Sequence, residues 1–332
     1  MTGTRMELVC PAGTPAALRA AVSAGADAIY CGFRDETNAR NFPGLNFSAA
    51  ELAEGVRFAH AHGARVLVAI NTFAQTGRVG QWRKAVDEAA GCGADAVIAA
   101  DLAVLDHVAK NHTGLRLHLS VQAAAATPEA IGFYVETFGV RRVVLPRILS
   151  VQEIAALNRS IDVETEAFVF GGLCVMVEGR CHLSSYATGR SPNLSGVCSP
   201  PEMVSYDEDE EGTAARLAGF TIDRYAPGQP TGYPTLCKGR FTAGEKTSYL
   251  FEDPVSLNAG NLISSLKAAG VTALKIEGRQ RGKRYVTEVV RAFRKAVDAV
   301  EAGSDAGEID RILSGMSEGG RQTAGAYRKT WR

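Results

Sequence analysis

The chain has no long apolar run, no surplus of charge and no close cysteine pair, and each absence removes a class of protein. Its 36 Lys+Arg balance 36 Asp+Glu, for a formal net charge of +0. Overall charge therefore gives no reason to expect a broad nucleic-acid or anionic-membrane surface, although a local basic patch survives that test. The longest apolar stretch, residues 168–177, is half of what a membrane helix of ~18–20 residues needs. The opening MTGTRMELVC lacks the apolar core of a secretory leader. These features lead us to expect a soluble, cytoplasmic protein with no transmembrane segment and no nucleic-acid partner. In that reducing compartment the seven cysteines read as thiols or metal ligands, not as a disulfide framework. HExxH, GxSxG and Walker A sequences are also missing, and no protease apparatus is recognisable.

What is present is a sizeable core: 46% of the 332 residues are hydrophobic and 22% charged. That length suggests two domains, unless the chain is an α/β barrel, which folds as one unit at ~250 residues. One pattern recurs. A helical stretch ends in glycine, at Gly25, Gly63, Gly93, Gly114, Gly139 and Gly270, and a short apolar strand follows. Glycine just past a helix end adopts the left-handed conformation that stops the helix. The strands lie near residues 7–10, 28–31, 65–70, 96–99, 116–120, 142–145, 163–170 and 272–276. They do not alternate, as expected of strands buried on both faces of a parallel sheet. Helical periodicity is clearest over 16–24, 49–61, 81–90 and 128–138. Eight β-α units predict a TIM-type (β/α)8 barrel. The rival is a doubly wound open sheet, but the stretch at Gly91–Ala96 lacks the third glycine of a dinucleotide fingerprint and precedes its strand.

The order breaks between strands seven and eight. Residues 171–260 are rich in Gly, Pro, Ser and Asn and show little regular patterning, far beyond a normal loop. The expected organisation is seven β-α units over 1–170 and an irregular, cysteine-rich insertion over 171–260. The last β-α unit follows over 261–303, then a fraying polar tail over 304–332 with a short helix near 305–314. The acidic run 207–211 (DEDEE) reads as a solvated loop tip.

Cys10 and Cys31 lie in apolar strands and Cys92 at a helix end, where small buried hydrophobes are expected. Cys174, Cys181, Cys198 and Cys237 all fall in the insertion, spaced C-x6-C-x16-C-x38-C. Four thiols in one poorly patterned segment suggest a metal centre that staples it. Spacing leaves iron–sulfur, zinc and no metal all open. Zinc sites favour close CxxC pairs, whereas a 4Fe-4S cube tolerates dispersed thiolates. The CxxxCxxC spacing of radical-SAM chemistry is absent. His182, next to Cys181, reads as a polar neighbour; a cysteine nucleophile beside it would withdraw one thiol from the set. Barrel active sites lie at the C-terminal strand ends. The polar residues there are Asn71, Asp101, Gln122, Arg147, Glu277 and Arg279, with Lys275 beside them. Two arginines and a lysine suit an anionic ligand. The alternative is that Glu277 pairs with one of them and merely closes the barrel. The basic run GRQRGKR at 278–284 reads as a solvated loop, with phosphate binding as its alternative.

Several stretches carry a resemblance. EAFVFGGLCVMVEGRCHLSSY, around residues 168–185, is similar to the signature of the collagenase-like peptidase family. ELVCPAG, NFPGLNF, VAINTF, SVQA, RVVLPRILS, SPNLSGVCSP and IDRY accompany it, and GYPTLCKGR (232–240) and KIEGRQR (275–281) are more specific. Over roughly residues 6–300 the chain resembles the ubiquinone-biosynthesis branch of that family. The resemblance implies one 4Fe-4S cluster on Cys174, Cys181, Cys198 and Cys237. It implies a heterodimer with a UbiV-like family member. The implied activity is oxygen-independent hydroxylation of the ubiquinone precursor ring, the precursor arriving by way of a lipid-carrier protein. The implied hydroxyl donor is prephenate, a dicarboxylate that would suit Arg147, Lys275, Glu277 and Arg279. RNA-base hydroxylation, as in other family members, is the alternative, followed by a non-catalytic scaffold and a peptidase.

Overall fold

A computed structural model describes residues 5–174, 181–307, 309–317 and 321–328. Seven strands alternate with six helices in the first half of the chain. In order they are β1 (Glu7–Pro11), α1 (Pro15–Ser23), β2 (Ala28–Cys31), α2 (Ala49–Ala61), β3 (Arg65–Ile70) and α3 (Val79–Gly91). Next come β4 (Ala96–Ala99), α4 (Leu102–Asn111), β5 (Arg116–Leu119), α5 (Pro128–Phe138), β6 (Arg142–Val144), α6 (Val151–Asn158) and β7 (Glu164–Gly172). Side chains start the helices as local chemistry dictates. Thr14, Ser48, Asp101, Thr127 and Ser150 each accept from a first-turn backbone N–H, and Ser48–Glu51 and Ser150–Glu153 complete reciprocal capping boxes. Five of the six expected glycines follow a helix with positive φ; Gly114 does not, because His112 already ends α4 two residues earlier.

The insertion is more ordered than its composition suggests. It holds α7 (His182–Thr188), α8 (Pro192–Ser195), and a three-stranded antiparallel sheet of β8 (Val204–Asp209), β9 (Gly212–Leu217) and β10 (Phe220–Tyr225). A hairpin of β11 (Arg240–Ala243) and β12 (Lys246–Tyr249) follows, then β13 (Ser256–Asn258), which pairs antiparallel with the end of β7. The expectation of an irregular segment is thus corrected. These strands are short and, β9 apart, largely solvent-exposed, so they lack the continuous apolar runs that mark the barrel strands. The acidic run is corrected as well: residues 207–209 belong to β8, and only 210–211 form the turn. Arg216 pairs with Asp207, and Arg224 grips Asp209 at 2.7 and 2.8 Å.

After α9 (Ile263–Ala268), strand β14 (Ala273–Ile276) returns to the barrel. It runs parallel to both β7 and β1, which closes the eight strands β1–β7 and β14 into a barrel. Helix α10 (Lys283–Glu301) packs outside, and α11 (Ile309–Leu313) lies within the expected short helix. The tail is not frayed over its described part. β15 (Gln322–Thr323) pairs with β13, and buried Tyr327 donates its hydroxyl to the Phe168 carbonyl at 2.6 Å. Among the described residues no helix is long and apolar enough to cross a membrane.

Two layers of core result. Leu8, Cys10, Ile29, Val66 and Val68 face the helices, while Val9, Tyr30, Leu67, Ile98 and Ala273 form a smaller cluster. The strands also carry an ion network. Arg142 reaches Glu7 at 2.7 Å, Glu164 at 2.7 Å and Glu166 at 3.4 Å, and Lys275 meets Glu166 at 2.6 Å. Glu166 is fully buried. Breaking a buried pair leaves an uncompensated charge and costs about 3–5 kcal/mol. Glu166→Ala should therefore lower unfolding stability by that order in chemical denaturation, and Glu166→Ala with Lys275→Met should recover part of the loss.

Candidate functional site

Four cysteines on four separate pieces of chain lie in the loops over the C-terminal face of the barrel. Cys174 follows β7, Cys181 caps α7, Cys198 follows α8, and Cys237 sits in the single turn Leu236–Lys238 that packs on α7. Burial pushes the Cys237 thiol up to about 12, and the nearby Cys174, Cys198 and Cys181 push the same way. Burial also raises Cys198, against the opposing pull of Arg40. Cys237 therefore lies within electrostatic reach of the other three sulfurs, and Cys198 within reach of Cys181. Residues 175–180, inside the quoted signature, lie outside the described residues. Cys10 and Cys31 are buried in strands, where burial raises both thiols, and the Cys92 sulfur donates to the Ala49 carbonyl. His182 is exposed, and the Cys181 sulfur faces Ser184 at 3.6 Å instead.

Polar side chains fasten these loops to the barrel. Asn193 donates to Gln122 Oε1 at 2.9 Å and accepts from the Cys181 N–H at 3.2 Å. Its carbonyl accepts from the Phe73 N–H. Gly196 lies so close to the loop after β2 that an added Cβ would stand 2.3 Å from the Asn38 carbonyl. Asn71 binds the Ala39 N–H at 3.0 Å and Ser120 at 3.2 Å, and Asp101 caps α4 while holding the Ala74 N–H. Asn71, Asp101 and Gln122 thus brace the loops.

Beneath the thiols lies a charged cradle centred on Glu277, just past β14. Its two oxygens take Arg40 Nη2 and Arg147 Nη2, each at 2.6 Å. Burial alone would raise the Glu277 carboxyl, but Arg147 and Arg40 hold it at about 2. Arg147 stacks over the Phe168 ring at 3.5 Å. Arg40 also feels Cys198 and Cys174, so it lies within electrostatic reach of both the carboxylate and these thiols. Gly171, with φ +119, is required here, because a Cβ would come 2.6 Å from the Glu277 carbonyl.

The four barrel-mouth residues expected from sequence separate into three environments. Glu277 and Arg147 pair with each other. Lys275 lies deeper, held by Glu166 and 3.8 Å from the Tyr30 ring centre, and burial pulls its ammonium down. Its placement at the mouth is corrected, since β14 turns it into the barrel. Arg279 is 5% exposed and bonds Asn38 Oδ1 at 3.2 Å beside the Tyr30 ring. Among the described residues no carboxylate lies within salt-bridge distance of it. Burial pulls its guanidinium down to about 10, and Arg40 adds to this. Arg40, Asn38, Tyr30 and Asn193 are the residues that sequence reasoning missed. Arg40 stands one residue before the NFPGLNF stretch in the loop after β2, so the rule that barrel chemistry sits in such loops could have found it.

Known proteins share this chain's sequence pattern. Peptidase family U32 matches residues 13–324. The chain is 31% identical to tRNA hydroxylation protein P1 of Bacillus subtilis, over 88% of this chain and 63% of that protein. It is 32% identical to tRNA hydroxylation protein P of Haemophilus influenzae, over 91% and 69%. With 23S rRNA 5-hydroxycytidine C2501 synthase of Escherichia coli the identity is 30%, over 95% of this chain but 42% of that protein. The chain thus spans about two thirds or less of these relatives' length.

Glu277 makes the cradle sensitive to acid. Its folded carboxyl is depressed from 4.5 to about 2, so the stabilisation is fully present above pH ~4.5 and is lost as pH falls through about 2. The shift corresponds to about 3 kcal/mol. Glu277→Gln should be less stable than the parent by that order at pH 7 in urea titration, and the gap should shrink steadily below pH 4.

Proposed function

Because the chain belongs to peptidase family U32, we propose that it is an iron–sulfur hydroxylase that adds a hydroxyl group to an aromatic ring. One observation supports the reading: Cys237 lies within electrostatic reach of Cys174, Cys181 and Cys198, over a barrel mouth that holds a buried arginine with no carboxylate at salt-bridge distance among the described residues. The donor set fits a 4Fe-4S cluster. Cys174, Cys181, Cys198 and Cys237 would be its ligands, and their separation in sequence suits a cube better than a single ion. Bound there, the cluster supplies electron transfer. With all four irons ligated by protein it offers no open coordination position.

The remaining roles belong to the chain's own side chains. Arg279 binds a carboxylate of the hydroxyl donor, for which the sequence resemblance suggests prephenate; a bidentate guanidinium supplies direction as well as affinity. Arg147 and Arg40 keep Glu277 ionised, and the three together fix the floor beneath the thiol loops. Tyr30 and Phe168 give the charged groups aromatic walls that limit access of water.

The relatives' names favour an RNA base as the ring that is hydroxylated. A second reading, the ubiquinone precursor, is favoured by GYPTLCKGR and KIEGRQR and by the net charge of +0. In it the chain is UbiU-like and works as a heterodimer with a UbiV-like partner. A lipid-carrier protein would present the hydrophobic precursor.

Anaerobically purified protein should contain about four irons per chain, as a cubane requires. Alanine at Cys174, Cys181, Cys198 or Cys237 should remove most of that iron, whereas alanine at Cys10, Cys31 or Cys92 should not. Retention of full iron by the four variants would remove the cluster from the proposal. Arg279→Ala should keep the iron and lose donor-dependent hydroxylation. The acceptor is decided by complementation: hydroxylated tRNA and rRNA bases are measured in one set of deletion strains. Anaerobic quinone is measured in another, with the partner present.

A further inference from the structure

On the barrel's outer surface, away from the thiols, three metal-ligating side chains meet between α3 and α4. His107 Nε2 and His112 Nε2 each lie 2.7 Å from the same oxygen, Asp87 Oδ1. The imidazole centres are 5.7 Å apart and set edge to face. His107 projects from α4, and His112 is the residue at which that helix ends. Helix α3 packs against α4 and brings Asp87 to both rings. The three ligand atoms all fall within 4.8 Å of one another.

We propose that Asp87, His107 and His112 form a site for a first-row divalent cation, zinc foremost. Two imidazoles and one carboxylate match the nitrogen and oxygen ligands that zinc takes at ~2.0–2.2 Å. Around a tetrahedral ion such ligand atoms stand about 3.4 Å apart. The present 2.7 Å contacts would therefore open by less than 1 Å. Both histidine side chains are mostly buried and fixed, while Asp87 is half exposed, so a fourth position faces water.

Without metal, the Asn111 side-chain amide donates to His107 Nδ1 at 3.1 Å and to the His107 carbonyl at 3.0 Å. This places the ring proton on Nε2, where Asp87 accepts it. Metal binding at Nε2 moves that proton to Nδ1. Turning the Asn111 amide over then presents its oxygen to the new N–H, at the cost of the bond to the carbonyl. A metal-bound imidazole ordinarily donates from its other nitrogen in this way. Bound, the ion ties the end of α4 to α3.

The test is zinc binding by equilibrium dialysis on the full chain, comparing the parent with H107Q/H112Q and with Asp87→Asn. The cysteines are common to all three, so zinc held by thiols cancels. The parent should bind one more equivalent than either variant, and zinc should raise its unfolding temperature but not theirs. Asn111→Ala should weaken the extra site by ~10-fold or more. Asp87→Asn keeps the shape of the cluster, so it covers the case in which H107Q/H112Q folds poorly. Equal stoichiometry in the parent and Asp87→Asn, meaning zinc on thiols alone, would overturn the site.

Discussion

Glu277 is the residue on which the upper half of the molecule depends. A carboxylate just past β14 would be costly to bury alone. It is stable because Arg40, from the loop after β2, and Arg147, from the loop after β6, take one oxygen each. These two cations follow strands on opposite sides of the barrel, so one carboxylate fixes both loops. The thiol-bearing insertion rests on the result: Gly196 packs on Asn38 and Asn41 within the same loop that carries Arg40. Loss of the Glu277 charge would take from Arg40 and Arg147 the carboxylate they share and loosen the loop on which Gly196 packs.

A second ion network works differently. Glu7, Arg142, Glu164, Glu166 and Lys275 connect β1, β6, β7 and β14, and so span the seam where the barrel closes. The side chains of Glu166 and Lys275 are 0% and 7% exposed, so their attraction operates in a medium of low dielectric. The same medium makes every unpaired member expensive. His118 illustrates the limit. It is buried beside Arg142, burial and that cation drive its pKa down, and it stays neutral.

Much of the fold was legible in the sequence, for a physical reason. Parallel strands buried on both faces demand short apolar runs, and helices that return to the sheet demand a stop, so β2, β3 and β4 stand out at their true bounds, as do α2 and α5. The insertion was not legible. Its sheet buries mainly its central strand, with Ala214, Ala215 and Leu217 of β9 and Ile222 of β10 inside, while β8 is a run of exposed polar residues that reads as loop. The tail was missed for a related reason. Tyr327 gains its burial from β7, about 160 residues away, and local composition carries no trace of that contact. In the site, the cysteine positions were visible because the residue type is rare. Arg40 was not, because one arginine among many carries no mark until the fold sets it against Glu277.

The two charged layers also leave one buried cation, Arg279, with no carboxylate at salt-bridge distance among the described residues. Lys275, deeper in the barrel, is committed to Glu166, and Arg40 and Arg147 at the mouth are committed to Glu277. Arg279 is as deeply buried as Lys275, yet its side-chain partners are the neutral Asn38 and the face of Tyr30. A buried guanidinium left this way costs folding free energy. Its depressed pKa of about 10 reflects that cost. An anion placed against it would remove the cost in proportion to how completely water is excluded. On the proposed reading, that uncompensated cost is the driving force for binding the donor's carboxylate, and the ionised Glu277 nearby would disfavour any pose that set a carboxylate against it.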